Sequence, residues 1–302
     1  MIDRVYIRKS INIVEVEKMI KCIAIDMDGT LLTSTQEITK ENREAIKFAQ
    51  SKGVEVVIAT GRAYEEAGDV LKESGIVTPI ICANGAEIRT VEHEVIQTNP
   101  LSKETAKAIA DVLHKHQVYY EVYTNKGTYT LDKSMARSLI MDIFTVSGHV
   151  ADMDEINKAV EKRLKDIYQI DSYAVLFEDS SQLIYKLLAF HFDPSTLSQV
   201  KEELHSIPSI AISSSASENL EITSIDAQKG VALEEFTSER GISLADTMAI
   251  GDNYNDLSMF KKAGRAVAMG NAEEDLKQQC HFVTGTNEES GVAKAIRKAL
   301  EE

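Results

Sequence analysis

Two carboxylates lie two positions apart in the segment Asp26-Met27-Asp28-Gly29-Thr30-Leu31, directly after the apolar run Cys22-Ile23-Ala24-Ile25. A short apolar run that ends in a glycine-containing turn predicts a buried strand of a parallel sheet, and open α/β folds bind ligands at the carboxyl ends of such strands. Two acids at that position repel each other unless a cation or a shared proton offsets their charges. The segment therefore predicts chemistry, with either a divalent metal bound there or one acid held neutral.

Two further apolar runs end in polar clusters. The run 54–59 is followed by Thr60-Gly61, and the run 247–250 is followed by Gly251-Asp252-Asn253-Tyr254-Asn255-Asp256. Because parallel strands bring their carboxyl ends to one edge of a sheet, these acids and the hydroxyl converge, which favours a Mg²⁺ and phosphate site. Lys229 supplies a cation for the phosphoryl charge, since it begins a predicted helix whose N-terminus is itself positive.

The elements that position these clusters alternate between strand and helix. Helices are predicted over 39–52, with Thr39 as the cap, and over 63–74, and each is followed by a glycine. A strand over 79–82 then leads to Asn84-Gly85, which favours a hairpin turn. The alternation predicts a Rossmann-like, doubly wound parallel-sheet core with right-handed crossovers, in the α/β class.

The pattern changes in the middle of the chain. Residues 119–131 alternate like a hairpin, 183–192 resemble a strand, and helical stretches lie between them, so this block is predicted to be α+β. The alternation of strand and helix returns at 219–222. We therefore expect a core built from residues 19–100 and 211–302, interrupted by an inserted cap domain over 101–210.

Residues 1–18 mix β-branched and charged residues ahead of a second methionine, Met19. We treat them as an N-terminal extension, with three readings left open: an added strand, a disordered tail or an over-called start codon.

Composition excludes several classes of function. The 302 residues carry a formal net charge of −15, which disfavours nucleic-acid backbones and anionic membrane surfaces as partners. The sequence shows neither a membrane span of about 18 apolar residues nor a signal peptide. Its three cysteines, an odd number, are expected to be reduced. We expect a cytoplasmic protein.

In order and spacing, the four clusters resemble the motifs of the haloacid dehalogenase superfamily. The matching residues are Asp26-Met27-Asp28-Gly29-Thr30, Thr60, Lys229 and Gly251 to Asp256. More narrowly, Ala59-Thr60-Gly61-Arg62, Ala83-Asn84-Gly85-Ala86 and the large insert resemble the Cof-type sugar phosphatases with a class IIB cap. The resemblance runs from Ile20 to the C-terminus.

This resemblance implies a role for each acid. Asp26 would be the nucleophile that forms an aspartyl-phosphate, and Asp28 would protonate the leaving alkoxide and then deprotonate the attacking water. Mg²⁺ would be held by Asp26, the backbone carbonyl of Asp28 and Asp252. Asp256 would orient Lys229 or a metal-bound water.

The resemblance also implies a phosphate cradle. The groups expected to hold the phosphoryl oxygens are the Met27 amide, Thr60, the Gly61 amide, Lys229 and Asn255. Three further residues are candidates for substrate contact. Arg62 either touches substrate or is solvated, Asn84 either faces the cap or serves only its turn, and Lys186 is the best cap candidate for an anionic or polyhydroxy substrate.

The predicted function is that of a Mg²⁺-dependent phosphatase for small phosphorylated metabolites, with sugar phosphates as the expected class. Two alternatives stay open. A phosphomutase uses the same aspartyl-phosphate but returns the phosphoryl group to a second position and depends on a bisphosphate activator. A non-catalytic regulator that binds phosphometabolites needs neither a nucleophile nor an acid/base residue, so the pair Asp26 and Asp28 argues against it.

Overall fold

The computed structural model describes residues 19–146 and 153–301, so the expected N-terminal extension over 1–18 lies outside the described residues. The strands, in chain order, are β1 (Cys22–Ile25), β2 (Glu55–Ala59), β3 (Ile80–Cys82), β4 (Glu87–Arg89), β5 (Val95–Thr98), β6 (Tyr119–Thr124), β7 (Gly127–Thr130), β8 (Ile167–Gln169), β9 (Ile184–Phe190), β10 (Ile210–Ser213), β11 (Asn219–Ser224), β12 (Thr247–Gly251), β13 (Arg265–Ala268) and β14 (Phe282–Val283). The α-helices are α1 (Lys40–Ser51), α2 (Tyr64–Ser74), α3 (Lys103–Lys115), α4 (Lys133–Val146), α5 (Met153–Leu164), α6 (Ala174–Glu178), α7 (Pro194–Leu204), α8 (Lys229–Glu239), α9 (Leu257–Lys262), α10 (Glu274–Lys277) and α11 (Gly291–Glu301).

Eight strands form the core sheet, in the order β14-β13-β12-β1-β2-β3-β4-β5. Neighbouring strands from β14 to β3 pair in parallel, and β4 and β5 extend the edge in antiparallel pairing. Ile25 at the end of β1 lies beside Ile58 of β2 and Ile250 of β12. The carboxyl ends of these three strands therefore meet, and the predicted doubly wound α/β core is confirmed.

Helices cover both faces of this sheet, so its strands are buried on both sides. Ile23 and Ile25 pack in a cluster with residues of α1 and α11, whereas Ala24 packs on the opposite face with residues of α8 and α9. This alternation follows from the two-residue period of a strand. It makes the core sheet the rigid base from which the strand ends project.

Local features of the sequence correctly predicted the helices that follow β1 and β2. The Thr39 side chain accepts a hydrogen bond from the Asn42 amide and caps α1, and Gly75 ends α2 with a positive φ of 65°. The hairpin predicted at Asn84-Gly85 joins β3 to β4.

The second sheet has six strands in the order β10-β11-β9-β6-β7-β8 and forms the cap. Its pairs are antiparallel except for β7 with β8, and α3 and α7 pack on it. The hairpin predicted over 119–131 is present as β6 and β7. Within the described residues, no helix is both long and apolar enough to cross a bilayer.

The expected end of the cap at residue 210 is too early. Strands β10 and β11 belong to the cap sheet, because β11 pairs with β9 and its residues Leu220 and Ile222 pack in the cap core. The expected return of the core at 219–222 is therefore wrong. A short alternating strand looks the same in either domain, and its partners in β9, Phe190 to Lys186, are distant in sequence, so local pattern could not assign it.

Candidate active site

Three carboxylates come together at the ends of β1 and β12. Asp26 follows β1, Asp252 follows β12, and Asp256 lies in the turn beyond it. Each offers one oxygen, and these oxygens lie within 4.8 Å of one another. The acids that were predicted to meet at the strand ends therefore lie together in the structure.

The turn after β1 requires a glycine. Gly29 has a φ of 73°, and a Cβ atom at this position would lie 2.3 Å from an Asp252 carboxylate oxygen. The neighbouring Thr30 hydroxyl donates to the other Asp252 oxygen at 2.7 Å. The segment 26–31 therefore both carries Asp26 and fixes the orientation of Asp252.

Lys229 is fully buried between two of the acids. Its Nζ donates to Asp26 Oδ1 at 2.5 Å and to Asp256 Oδ1 at 2.7 Å. The next residue, Gly230, allows α8 to pack closely against the start of α9, since a Cβ there would lie 2.1 Å from the Ser258 carbonyl oxygen. This close packing sets the position of Lys229.

Asp256 has both carboxylate oxygens engaged. Oδ1 accepts from Lys229, and Oδ2 accepts from the amides of Asp252 and Asn253. A Cβ on Gly251 would meet this carboxylate at 2.3 Å, so that glycine gives Asp256 its room. Asp256 therefore lies where it can orient Lys229.

The acids perturb one another's ionisation. Burial, and after it the Asp256 charge, raise the pKa of Asp26 well above its usual range, against the opposing effect of Lys229. Burial and Asp256 likewise raise the pKa of Asp252 to about 7. A divalent cation between Asp26 and Asp252 would remove this repulsion, so the donor set fits a metal that prefers carboxylate oxygens.

Arg62 is buried rather than solvated, and it lines the cavity over the acids. Its Nε and one Nη donate to the two Asp28 oxygens at 2.7 and 2.5 Å, and it also contacts Gln36 and Glu66. Burial raises the pKa of Asp28, but the charge and hydrogen bonds of Arg62, together with the Arg163 and Lys229 charges, lower it to about 2. The Asp28 carboxylate thus lies outside the three-acid cluster, paired with Arg62.

The other predicted phosphate-binding residues lie around the same edge. Thr60 is buried, with Oγ1 accepting from the Arg62 amide at 3.1 Å, and Met27 buries its side chain in the core. Asn255 donates through Nδ2 to Asn84 Oδ1 at 3.4 Å. Its Oδ1 is buried without a hydrogen-bond partner among the described residues. Such an orphaned buried atom marks a place where a partner is missing.

A cavity of about 280 Å³ opens over these groups. Its lining includes Asp26, Asp28, Gly61, Asp252 and Asn255 from the core. From the cap it includes Tyr123, Arg163, Lys186, Leu188, Phe190 and Glu221. Two larger cavities, of about 510 and 590 Å³, lie away from the acids.

Lys186 and Asn84 both lie at the boundary between cap and core. Lys186 donates to the Gly61 carbonyl oxygen at 2.6 Å and lies 3.4 Å from Glu221 Oε1. Asn84 Nδ2 donates to Glu221 Oε2, so Asn84 faces the cap as well as serving its turn.

Sequence reasoning missed two charged residues at this boundary. Glu221 could have been found, because a single acid inside the apolar strand Leu220-Glu221-Ile222 needs a specific partner. Arg163 could not, because it belongs to the charged helix segment Glu161-Lys162-Arg163, where such residues are ordinarily solvated. In the fold its Nε lies 3.6 Å from Glu66 on α2 of the core.

Comparison with known proteins agrees with this geometry. A family model described as haloacid dehalogenase-like hydrolase matches residues 23–296. The chain is 40% identical over 283 residues to a Bacillus subtilis (strain 168) protein named 5-amino-6-(5-phospho-D-ribitylamino)uracil phosphatase YwtE, covering 93% of this chain and 98% of that protein.

Solved structures show the same family. A haloacid dehalogenase-like hydrolase from B. subtilis has a TM-score of 0.85 at 36% identity, over 92% of this chain and 99% of that one. The HAD subclass IIB sugar phosphatase BT4131 has a TM-score of 0.74 at 26% identity, over 92% and 98% of the two chains. The resemblance inferred from the four motifs is confirmed. The chain belongs to the haloacid dehalogenase superfamily, in its Cof-type group of phosphatases, and is a phosphoric monoester hydrolase for small phosphorylated metabolites.

Proposed function

We propose that the chain hydrolyses phosphate esters through an aspartyl-phosphate on Asp26. The observation that carries this proposal is the buried Asp26 carboxylate, which lies at the end of β1, 2.5 Å from the Lys229 ammonium and at the floor of the cavity. A carboxylate fixed there can attack phosphorus, forming an O–P bond while the ester O–P bond breaks. Water then hydrolyses the aspartyl-phosphate and regenerates Asp26.

Asp28 is the proposed acid and base of these two steps. It gives a proton to the departing alkoxide and takes one from the attacking water, so Asp28 returns to its starting protonation state after one turnover. Its side chain is about half exposed, at 49%, and faces the cavity. Because Arg62 holds both Asp28 oxygens and keeps the pKa of Asp28 at about 2, the ion pair must open before Asp28 can take up the proton that it gives to the alkoxide.

The phosphoryl oxygens are proposed to bind the Met27 amide, Thr60, the Gly61 amide, Lys229 and Asn255. The fully buried Lys229 ammonium supports this cradle, because it is a charged donor that is already desolvated before a ligand arrives, and Asn255 lines the same cavity. Donors fixed in a desolvated site stabilise developing charge better than mobile ones in water.

We propose Mg²⁺ as the cofactor, held by Asp26, Asp252 and the backbone carbonyl of Asp28. Asp26 and Asp252 fit this role, since Asp256 is fully used by Lys229 and two amides. When bound, the ion would offset the charge between the nucleophile and an anionic substrate.

We further propose that the leaving group is a polyhydroxy chain carrying a planar nitrogen ring. The YwtE relative is named for a ribityl phosphate of this kind. The cap side of the cavity offers Tyr123 and Phe190 for a ring, together with Arg163 and Asn219 for polar groups. This is a narrower class than the sugar phosphates that the motifs suggest.

A phosphate-release screen with Mg²⁺ tests both the proposed ester hydrolysis and the proposed preference for a ring-bearing leaving group. The panel pairs 5-amino-6-(5-phospho-D-ribitylamino)uracil and flavin mononucleotide with ribitol 5-phosphate, which lacks the ring, and with glucose 6-phosphate. We expect the ring-bearing esters to have the higher kcat/KM. Equal values for the ring-bearing and ring-free esters would refute the ring preference.

The two alternative functions give different results in the same assay. A phosphomutase would release little phosphate and would instead isomerise its substrate when a bisphosphate activator is added, and a binding regulator would do neither. We propose a cytoplasmic location, which the three free cysteines support.

A further inference from the structure

A buried ion pair in the cap lies against the phosphate cradle of the core. Lys186 on β9 and Glu221 on β11 are only 1% and 4% exposed, and their side chains approach to 3.4 Å. Removing one partner of a buried pair leaves a costly unpaired charge, so such pairs require nearly complete hydrogen bonding. The other hydrogen-bond partners of Lys186 and Glu221 therefore show which parts of the molecule the ion pair fixes in place.

Both residues form hydrogen bonds to the core, and Glu221 also accepts from the Ser215 hydroxyl at 3.1 Å. Lys186 Nζ donates to the Gly61 carbonyl oxygen at 2.6 Å, and it also lies 4.4 Å from the centre of the Tyr123 ring. Glu221 accepts from the side-chain amide of Asn84. Lys186 thus lines the cavity with its ammonium held by two acceptors, the Gly61 carbonyl oxygen and Glu221.

The two core partners connect directly to the proposed cradle. The Asn84 amide donates to the Thr60 carbonyl oxygen at 2.9 Å, and Asn84 Oδ1 accepts from Asn255 at 3.4 Å. A Cβ atom on Gly61 would lie 3.1 Å from Asn84 Oδ1 and 3.3 Å from Glu221 Oε1. Gly61 is therefore enclosed between Asn84 and the ion pair.

We infer that Lys186 and Glu221 are positioning residues, which hold Gly61 and Asn84 so that the cradle of Thr60, Gly61 and Asn255 is complete only when the cap is seated on the core. The inference rests on the proposed function and replaces the earlier expectation that Lys186 selects the leaving group. Its consequence is specific. Loss of the pair weakens every interaction with the phosphoryl group, whatever the leaving group is.

The test uses the full chain with Lys186→Met, Glu221→Gln and the double variant Lys186→Met/Glu221→Met. Each is assayed on p-nitrophenyl phosphate, ribitol 5-phosphate and flavin mononucleotide, and for inhibition by inorganic phosphate. For Lys186→Met we expect kcat/KM to fall about tenfold on all three esters, and the inhibition constant for phosphate to rise by a similar factor. Glu221→Gln should shift both in the same direction but less, because it keeps an acceptor for Asn84.

The double variant separates positioning from simple stability. It removes the unpaired charge, so its melting temperature should recover relative to Lys186→Met, but its phosphate inhibition should stay weak. Recovery of both would show a merely structural role and overturn the inference. Lys126→Met is the matched control, since Lys126 is an exposed cap lysine whose partners Ser181 and Asp179 are also in the cap.

Other outcomes also decide the question. A changed ranking of the three esters with unchanged phosphate inhibition would show that Lys186 contacts the leaving group. Wild-type values in both variants would show that the cradle does not depend on the pair. If Lys186→Met does not fold, Glu221→Gln gives the same comparison. Failure of the wild-type enzyme to release phosphate from any ester would instead refute the proposed function.

Discussion

The Arg62 guanidinium grips both carboxylate oxygens of Asp28, at 2.7 and 2.5 Å, across 34 residues of sequence. Arg62 is itself 7% exposed and is backed by Glu66, which in turn lies 3.6 Å from Arg163 of the cap. Charges thus alternate along Asp28, Arg62, Glu66 and Arg163. The proposed acid/base residue is therefore tied, through three side chains, to a helix of the cap.

This pairing predicts how acid affects stability. The pKa of Asp28 is about 2 in the folded state, below its ordinary value of 3.8, so the pair stabilises the fold above about pH 4 and loses that contribution as the pH falls toward 2. Arg62→Gln removes the cause of the shift. The difference in unfolding free energy between wild type and Arg62→Gln should shrink from pH 5 to pH 2.5 in urea titrations. A difference that stayed constant would show that Asp28 does not titrate with the pair.

Asp28→Asn should reveal the proton that Asp28 donates. An alkoxide is a poor leaving group and needs that proton, whereas p-nitrophenolate leaves with little help. In single-turnover experiments we expect phosphoryl transfer to fall about 10²–10⁴-fold for ribitol 5-phosphate and much less for p-nitrophenyl phosphate. Equal losses on the two esters would remove Asp28 from the acid role.

Gly29→Ala should disturb the acids beyond its backbone cost. The added methyl would lie 2.3 Å from the Asp252 carboxylate, in a residue with φ of 73°. Gly53→Ala is a matched control, since Gly53 has φ of 78° and nothing within 4 Å of the new atom. Both variants should lose about 1–2 kcal/mol of stability from the left-handed backbone. Only Gly29→Ala should also lose activity, and full activity there would show that the added methyl does not displace Asp252.

Removal of divalent metal should abolish turnover. Mg²⁺ should restore it, whereas Ca²⁺ should bind and inhibit, because its larger and looser coordination shell misplaces the nucleophile against phosphorus. The measurement is phosphate release after dialysis against EDTA, followed by titration with each ion. Full activity in EDTA would eliminate the proposed site at Asp26 and Asp252.

The sequence pattern correctly predicted the features that depend on neighbouring residues, such as helix caps and strand ends. Thr39 caps its helix, Gly75 ends the next one, and strands β1, β2 and β12 stop where the polar clusters begin. Since parallel strands align their ends, the convergence of Asp26, Asp252 and Asp256 followed from topology alone.

Contacts between distant segments lay beyond that reasoning. For Arg62 the sequence offered substrate contact or solvation but not an ion pair, because its partner Asp28 precedes it by 34 positions. Lys186 was expected to contact substrate, and its hydrogen bond to Gly61 could not be predicted, because Gly61 lies 125 residues away in the other domain. The boundary at 210 failed for the same reason, because strand pairing across the cap sheet determines where the domain ends.

The phosphorylation of Asp26 is the central claim, and peptide mass spectrometry after acid quench tests it most directly. Enzyme mixed briefly with excess substrate and Mg²⁺ should carry one phosphoryl group on the peptide that contains Asp26. Asp26→Asn should carry none, and should lose several orders of magnitude in turnover while remaining folded. Two results would contradict the account. One is turnover by the wild-type enzyme with an unmodified Asp26 peptide at every quench time. The other is an Asp26→Asn variant that retains more than about a tenth of wild-type activity, which corresponds to only ~1.4 kcal/mol of barrier.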